Sequence, residues 1–236
     1  MTAAAFRQRL EATWPPAATR QVGPWLIRDG SGGGQRVSAA SPAGAWSDQD
    51  IPAAEAAMQA LGQAPLFQLW PEDGGLDAAL AARGYHRHDP VLVYEGSCEE
   101  LADPPPPPLT AFPHWPPLGI ARALWAEGAI GPARIRVMER VSLPKTAILG
   151  RVGDRAAGAA FVAATGDCAV LHALEISPAL RRQGSAHNIL RAAAGWALQQ
   201  GATWLILLVT EANAPARNLY ASLGLSVVGH YHYRKM

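Results

Sequence analysis

Five consecutive prolines, Pro104–Pro108, followed by Pro113, Pro116 and Pro117, set the strongest constraint on how this chain folds. Each proline fixes φ and lacks a backbone N–H, so the stretch reads as an extended polyproline-type spacer. It predicts residues 1–103 as one unit, 104–117 as a linker and 118–236 as a second unit, the alternative being a rigid loop inside a single domain. The 236 residues accommodate either arrangement. Residues 1–103 carry a net charge of −6 and residues 104–236 a net charge of +7. A basic half implies an anionic ligand, and an acidic half a cationic one; mutual docking of the halves explains both equally well.

The whole-chain charge of +1 argues against a general nucleic-acid binder, and 49% apolar with 17% charged residues excludes a wholly disordered chain. Two cysteines, Cys98 and Cys168, make no disulfide scaffold, so an intracellular, cytoplasmic protein is expected. No membrane partner is expected: the longest apolar run, near Trp204–Val209, is far short of the ~20 residues of a spanning helix. The start, Met1 to Arg7, lacks the basic and apolar regions of a secretory signal. Lys145 and Lys235 are the only lysines, which reads as a composition bias.

The second half has a clear rhythm. Residues 119–127 and 130–141 read as helices. Thr146–Val152 and Ala156–Ala164 read as a hairpin around Gly153-Asp154, and Ala169–Ile176 as a third strand. A long helix opens at Gly184, with Ile189, Leu190, Ala193, Ala194 and Ala197 at helical spacing and Gly201 as its stop signal. Trp204–Val209 is a continuous apolar strand, as expected where both sheet faces are covered. Asn213 caps the next helix, Pro215 sits in its first turn, Gly224 ends it, and residues 225–233 return as a strand. The predicted order is ααβββαβαβ, a mixed α/β layer.

Between strand and helix lies Arg181-Arg182-Gln183-Gly184-Ser185-Ala186. The first N–H groups of a helix have no intrahelical partner, and its dipole places about half a positive charge there, so this junction suits an anion. Taken alone, it is matched by the plainer reading of a basic helix start with a turn glycine. Together with Leu171-His172-Ala173-Leu174-Glu175-Ile176 before it, the loop resembles the acetyl-CoA-binding motif of the GNAT superfamily of acetyltransferases. Asn213 to Ala216, Leu219-Tyr220 and Gly224-Leu225 resemble the motif that follows it there, and the likeness covers roughly residues 110–236. Ala186 and Leu225 stand where glycine and phenylalanine are commoner.

This resemblance implies an N-acetyltransferase that moves the acetyl group of acetyl-CoA to a primary amine by direct attack in a ternary complex. The strand ending at Ile176 and the strand Trp204–Val209 would splay, with pantetheine pairing near Leu174 and Ile176. Arg181 and Arg182 would add charge, and backbone N–H groups of Gln183, Gly184, Ser185, Ala186 and His187 would hold the pyrophosphate. Asn213 would contact pantetheine or orient its helix, with Ala216 beside it, and Tyr220 would be the general acid for the departing thiolate. Acetyl-CoA is the one cosubstrate implied, with no metal.

The base is less sharply defined. An amine with a lysine-like pKa of ~10.4 costs roughly 4–5 kcal/mol to deprotonate at pH 7, and an α-amine near ~8 about 1.4, so a weak base serves the latter. His172 is the first candidate, in a string similar to the arylalkylamine acetyltransferase family; a histidine satisfied within the sheet is the plainer reading. Glu175 is the second, although strand alternation puts it on the opposite face from His172 unless a bulge intervenes. His230 and His232 share a strand face, but no third metal ligand accompanies them, and a pocket wall or ordinary strand fits better. The partner is then a small-molecule amine or a peptide acceptor; a non-catalytic acyl-CoA sensor and a protein N-terminal acetyltransferase are the alternatives.

The first half reads as a faded copy. At an offset of 140 residues Gly84 falls on Gly224, Ala81 on Ala221 and Leu80 on Tyr220, and Pro65–Trp70 reads as a strand like Trp204–Val209. No phosphate loop precedes the helix Ile51–Leu61, and Gly30–Gly34 reads as a flexible hairpin turn. The fold expected is α/β (α+β), two tandem GNAT-like mixed-sheet units with only the second complete. The first half is expected to complete the substrate cleft in place of a second subunit, in a monomer with a dimer as the alternative, its acidity selecting a cationic amine.

Overall fold

The computed structural model describes residues 3–236; Met1 and Thr2, part of the stretch read for a secretory signal, lie outside the described residues. Among the described residues no helix is long and apolar enough to cross a membrane. The second half folds in the predicted order: α5 (Gly119–Glu127), α6 (Pro132–Arg140), β7 (Lys145–Val152), β8 (Arg155–Thr165), β9 (Cys168–Ile176), α7 (Ser185–Gln199), β10 (Trp204–Thr210), α8 (Ala214–Ser222) and β11 (Ser226–Lys235). In the first half come α1 (Ala3–Thr13), β1 (Ala18–Val22), β2 (Trp25–Asp29), β3 (Ser41–Pro42), α2 (Ile51–Ala60), β4 (Leu66–Leu69), α3 (Gly74–Ala82), β5 (His86–Ser97) and α4 (Cys98–Ala102). Between the halves, β6 (Ala111–His114) lies inside the proline-rich stretch and pairs with β7 at the sheet edge. An edge strand tolerates Pro113 because one side of its backbone needs no partner.

The strands form a small sheet, β1-β2-β3, and a sheet of eight in the order β4-β11-β5-β10-β9-β8-β7-β6. The fold is therefore mixed α/β, as the pattern predicts. The boundary at the prolines is not a boundary of the sheet. β5 lies antiparallel to both β10 and β11 and separates them, so the two halves share one set of backbone hydrogen bonds. Leu205, Leu207 and Tyr94 join α7 residues such as Ile189 and Ala193 in the core on one face. Trp125, Met138, Phe161 and Trp14 cover the other face under α5, α6 and α1. A separate aromatic core, Trp25, Phe67, Tyr85 and neighbours, packs β2, α2 and α3 against β4 within the first half.

The internal repeat is visible in the backbone. α3 and α8 begin and end 140 residues apart, and Gly84 and Gly224 both follow their helix with positive φ, +87° and +79°. Leu80, at the position equivalent to Tyr220, is fully buried.

Candidate active site

Parallel pairing between β9 and β10 runs from Cys168–Trp204 to Leu171–Leu207 and then stops, although both strands continue. On this side of the sheet the β9 backbone from His172 to Ile176 has no neighbouring strand, and a cleft of about 1120 Å³ opens there. Its walls include Leu174, Glu175, Ile176, Arg181, Arg182, Gly184, Ser185, Ala186, His187, Asn213, Ala216 and Tyr220; Gln183 alone of the predicted set does not line it. The first half contributes Gly33, Gly34, Gln35, Arg36 and Asp89 to the same cleft.

Gly184 precedes α7 with φ +83°, a left-handed conformation that a side chain disfavours, and no side chain caps the helix start. The N–H groups that begin α7 are thus free to face an anion. Ser185 Oγ is buried there without a hydrogen-bond partner. These features fit a pyrophosphate. At the start of α8 the Asn213 side chain accepts from the Ala216 N–H at 3.2 Å, so Asn213 is a helix cap.

Tyr220 is 4% exposed, with its ring edge-on to Tyr94 of β5 at 5.4 Å. Burial, then the neighbouring Tyr94, pushes its hydroxyl up to about 12, so it is protonated throughout the neutral range.

β9 contains a bulge. Ala159 pairs with Glu175 and Phe161 with His172, so three steps on β9 oppose two on β8, and Ala173 takes φ +53°. The indole of Trp125 donates to the Ala173 carbonyl at 2.8 Å and pins the bulge. The extra residue turns Glu175 to the same face as His172, against the end of α5, where a Cβ on Gly128 would lie 2.5 Å from its carboxylate. Arg181 donates to Glu175 at 3.4 Å and to the Ile176 carbonyl at 3.2 Å.

His172 lies between Trp14 and Phe161, 5% exposed. Its Nδ1 is 3.1 Å from Arg36 Nη1 and its Nε2 is 3.1 Å from Thr13 Oγ1. Thr13 spends its own proton on the Arg9 carbonyl at 2.8 Å. Arginine only donates, so Nδ1 must accept and Nε2–H must donate to Thr13. Burial first, then the Arg36 cation, hold the imidazole well below its usual range. His172 is neutral and has no lone pair left for an incoming proton. The expectation that it serves as the base does not fit this geometry, and the plainer reading of a satisfied histidine does.

His232 is bonded to Asp77 at 2.8 Å and faces α3, away from the cleft, which leaves the ordinary strand of the two readings given for it. One further expectation changes. Gly30–Gly34 is a packed loop between β2 and β3: a Cβ on Gly33 would meet Val137 of α6 at 2.6 Å. It leads into the turn Gln35–Val37, which delivers Arg36 to the cleft. Sequence reasoning missed Arg36; the signal was an arginine two residues after a glycine-rich loop in an otherwise acidic half. Nor is the first half's share of the cleft an acidic wall, since Arg36 and Asp89 are its charged members.

Residues 104–225 match the model of the Acetyltransferase (GNAT) family. YobR, an uncharacterized N-acetyltransferase of Bacillus subtilis (strain 168), is 24% identical over 238 residues, 94% of each chain. The fold is similar to that of a GCN5-related N-acetyltransferase from Kribbella flavida, with a TM-score of 0.71 over 99% of this chain and 95% of that one at 18% identity. A tandem GNAT protein from the clavulanic acid biosynthesis pathway, solved without AcCoA, aligns with a TM-score of 0.63 over 94% of this chain and 84% of that one at 16% identity.

Proposed function

Because this chain belongs to the GNAT acetyltransferase family, acyl-CoA-dependent N-acetylation is its class of chemistry, and we propose that it transfers the acetyl group of acetyl-CoA to a primary amine by direct attack in a ternary complex. The observation that carries this reading is the end of β9–β10 pairing at Leu171–Leu207, which leaves a strand edge free inside a cleft. A bound thioester supplies the activated acyl carbon. The N–H groups at the start of α7 bind the pyrophosphate, with Arg181 and Arg182 adding charge. Backbone near Leu174 and Ile176 pairs with the pantetheine amides and fixes the thioester in line with the acceptor.

Glu175 takes the amine proton, directly or through one water, as the C–N bond forms and the C–S bond breaks. Tyr220 donates a hydrogen bond to the departing sulfur. Full transfer from a phenol near 12 to a thiolate of pKa ~8.5 is uphill by roughly 5 kcal/mol, so stabilising the leaving thiolate is its main contribution. The first half completes the cleft in place of a second subunit.

Calorimetric titration with acetyl-CoA tests the reading, alongside Gly184→Glu, which puts a strained, negative side chain at the helix start. Binding by the wild type that weakens at least ~10-fold in the variant is expected; no binding, or equal binding, overturns it. Tyr220→Phe should lower kcat by roughly 10–100-fold with acetyl-CoA affinity kept, as measured by thiol release. A sensor without turnover would show binding and no release with any amine.

A further inference from the structure

We propose that Arg36 is the carboxylate anchor of the acceptor subsite, so that the acceptor is a small amine that also carries a carboxylate. This rests on the transferase reading above and names its substrate class.

Arg36 is a half-buried cation in the wall of the cleft. Its Nε donates to Tyr231 Oη at 3.3 Å and its Nη1 to His172 Nδ1 at 3.1 Å, and it also donates to Tyr233, which leaves two of its five N–H groups for a ligand. None of these partners is a carboxylate. No carboxylate pairs with it: Glu11 is held by Arg28 and Glu175 by Arg181, and Asp89, which also lines the cleft, makes no ion pair with Arg36. Among the described residues Arg36 makes no ion pair. Desolvating a guanidinium without an opposite charge is costly, and such a cation in a ligand cleft is satisfied when an anion arrives. The planar fork matches a carboxylate in two hydrogen bonds.

Position decides which ligand brings the anion. Arg36 is held by His172, which the Ala173 bulge places on the same face of β9 as Glu175, three residues on. That face lies under α1, α5 and α6, whereas α7 packs on the other. Arg36 therefore lies on the face opposite to α7, on the side of the proposed proton acceptor. Because the bulge sets these three steps against two on β8, the span at ~3.3 Å per residue is roughly 7 Å along the strand, within reach of an arginine side chain and a small amino-carboxylate together. Arg134, exposed on α6, lines the same side without an ion pair, beside Gly34, where a Cβ would come within 3.4 Å of its Nε. Two unpaired arginines on the acceptor side select against a purely cationic amine, the opposite of what the acidity of the first half implied.

The test uses the full chain saturated with CoA, titrated with a panel of free amino acids and dipeptides, each beside its carboxamide, with thiol release from acetyl-CoA measured on the same pairs. At least one carboxylate should bind 10-fold or more tighter than its amide, with a matching ratio in kcat/KM. Arg36→Gln should bring the ratio to near one, and Arg36→Lys should retain part of it, while CoA affinity, read as the control for an intact site, stays within twofold. Amides that match or beat the acids on the wild type overturn the inference, as does a ratio that persists in Arg36→Gln or a panel with no binding carboxylate. If neither variant folds, the paired probes on the wild type decide alone. A wild type that fails to bind acetyl-CoA overturns the transferase reading and this inference with it; binding of acetyl-CoA with a ratio near one overturns only this inference.

Discussion

Glu175 owes its position to one extra residue in β9. Residues three apart on a regular strand point to opposite faces, so His172 and Glu175 should not share a side. The bulge at Ala173 changes that parity, and nothing local announces it: alanine has no preference for φ +53°, and the carbonyl there is held by Trp125, 48 residues earlier. The choice between the two readings of His172 was hidden for the same kind of reason, since its partners Thr13 and Arg36 are 159 and 136 residues away. The backbone at Gly184, by contrast, was legible because its conformation is local, a glycine with positive φ at a helix start. Residue-scale crowding also makes Glu175 testable without touching it. In Gly128→Ala the new methyl would occupy the space 2.5 Å from the carboxylate, and the carboxylate, as the mobile end of the side chain, must move. Steady-state kinetics should show kcat down by roughly 10-fold or more with acetyl-CoA KM little changed, on the magnitude usual for a misplaced acid–base group. A variant with wild-type kcat would remove Glu175 from the proton path.

Among the elements, the repeat of α3-turn-β5 and α8-turn-β11 was readable from one glycine pair, Gly84 and Gly224, and one alanine pair, Ala81 and Ala221, because a helix end and a tight turn impose the same backbone need twice. What joins the copies was not readable. Asp77 of α3 accepts from Arg234 Nε at 2.7 Å and from His232 at 2.8 Å, and Arg234 Nη1 donates to the Tyr85 carbonyl at 2.9 Å. The Arg234 hydrogen bond first, then His232, bring the Asp77 carboxyl from 3.8 to about 2. A depressed folded-state pKa adds stability that is present above 3.8 and is lost as pH falls towards 2. Screening at this partly exposed site reduces its worth to roughly 1 kcal/mol. Asp77→Asn should therefore lower Tm by roughly 2–4 °C at pH 7, and thermal melts from pH 7 to pH 3 should show the gap narrowing below about pH 4. A gap that stays constant with pH would mean that the amide replaces the carboxylate fully.

At the scale of the molecule, the prolines and the charge split point to separable halves, but hydrogen bonding runs across them. β11 has β4 on one side and β5 on the other, both from the first half, and β10 takes β5 as its outer neighbour. Strand pairing between distant segments leaves no trace in either segment alone, since an apolar alternation fits any neighbour of the right register. The split of −6 and +7 is not mainly a docking charge: the Asp77 cluster follows it, yet Arg9–Asp167 runs the other way and Arg36 meets a neutral histidine. Residues 104–236 alone would therefore lose both neighbours of β11 and expose the edge of β10 with Tyr220 uncovered by Tyr94. Such edges associate rather than remain folded. The fragment should elute as aggregate, or show no cooperative unfolding by circular dichroism, and should bind no acetyl-CoA. Co-expression with residues 1–103 as a separate chain should restore both, because the peptide link at the prolines supplies proximity while β5 supplies the missing strand. A fragment that is monomeric, unfolds cooperatively and keeps its acetyl-CoA affinity would show that the second half closes its own sheet, and the first half would then be a passenger on a complete enzyme.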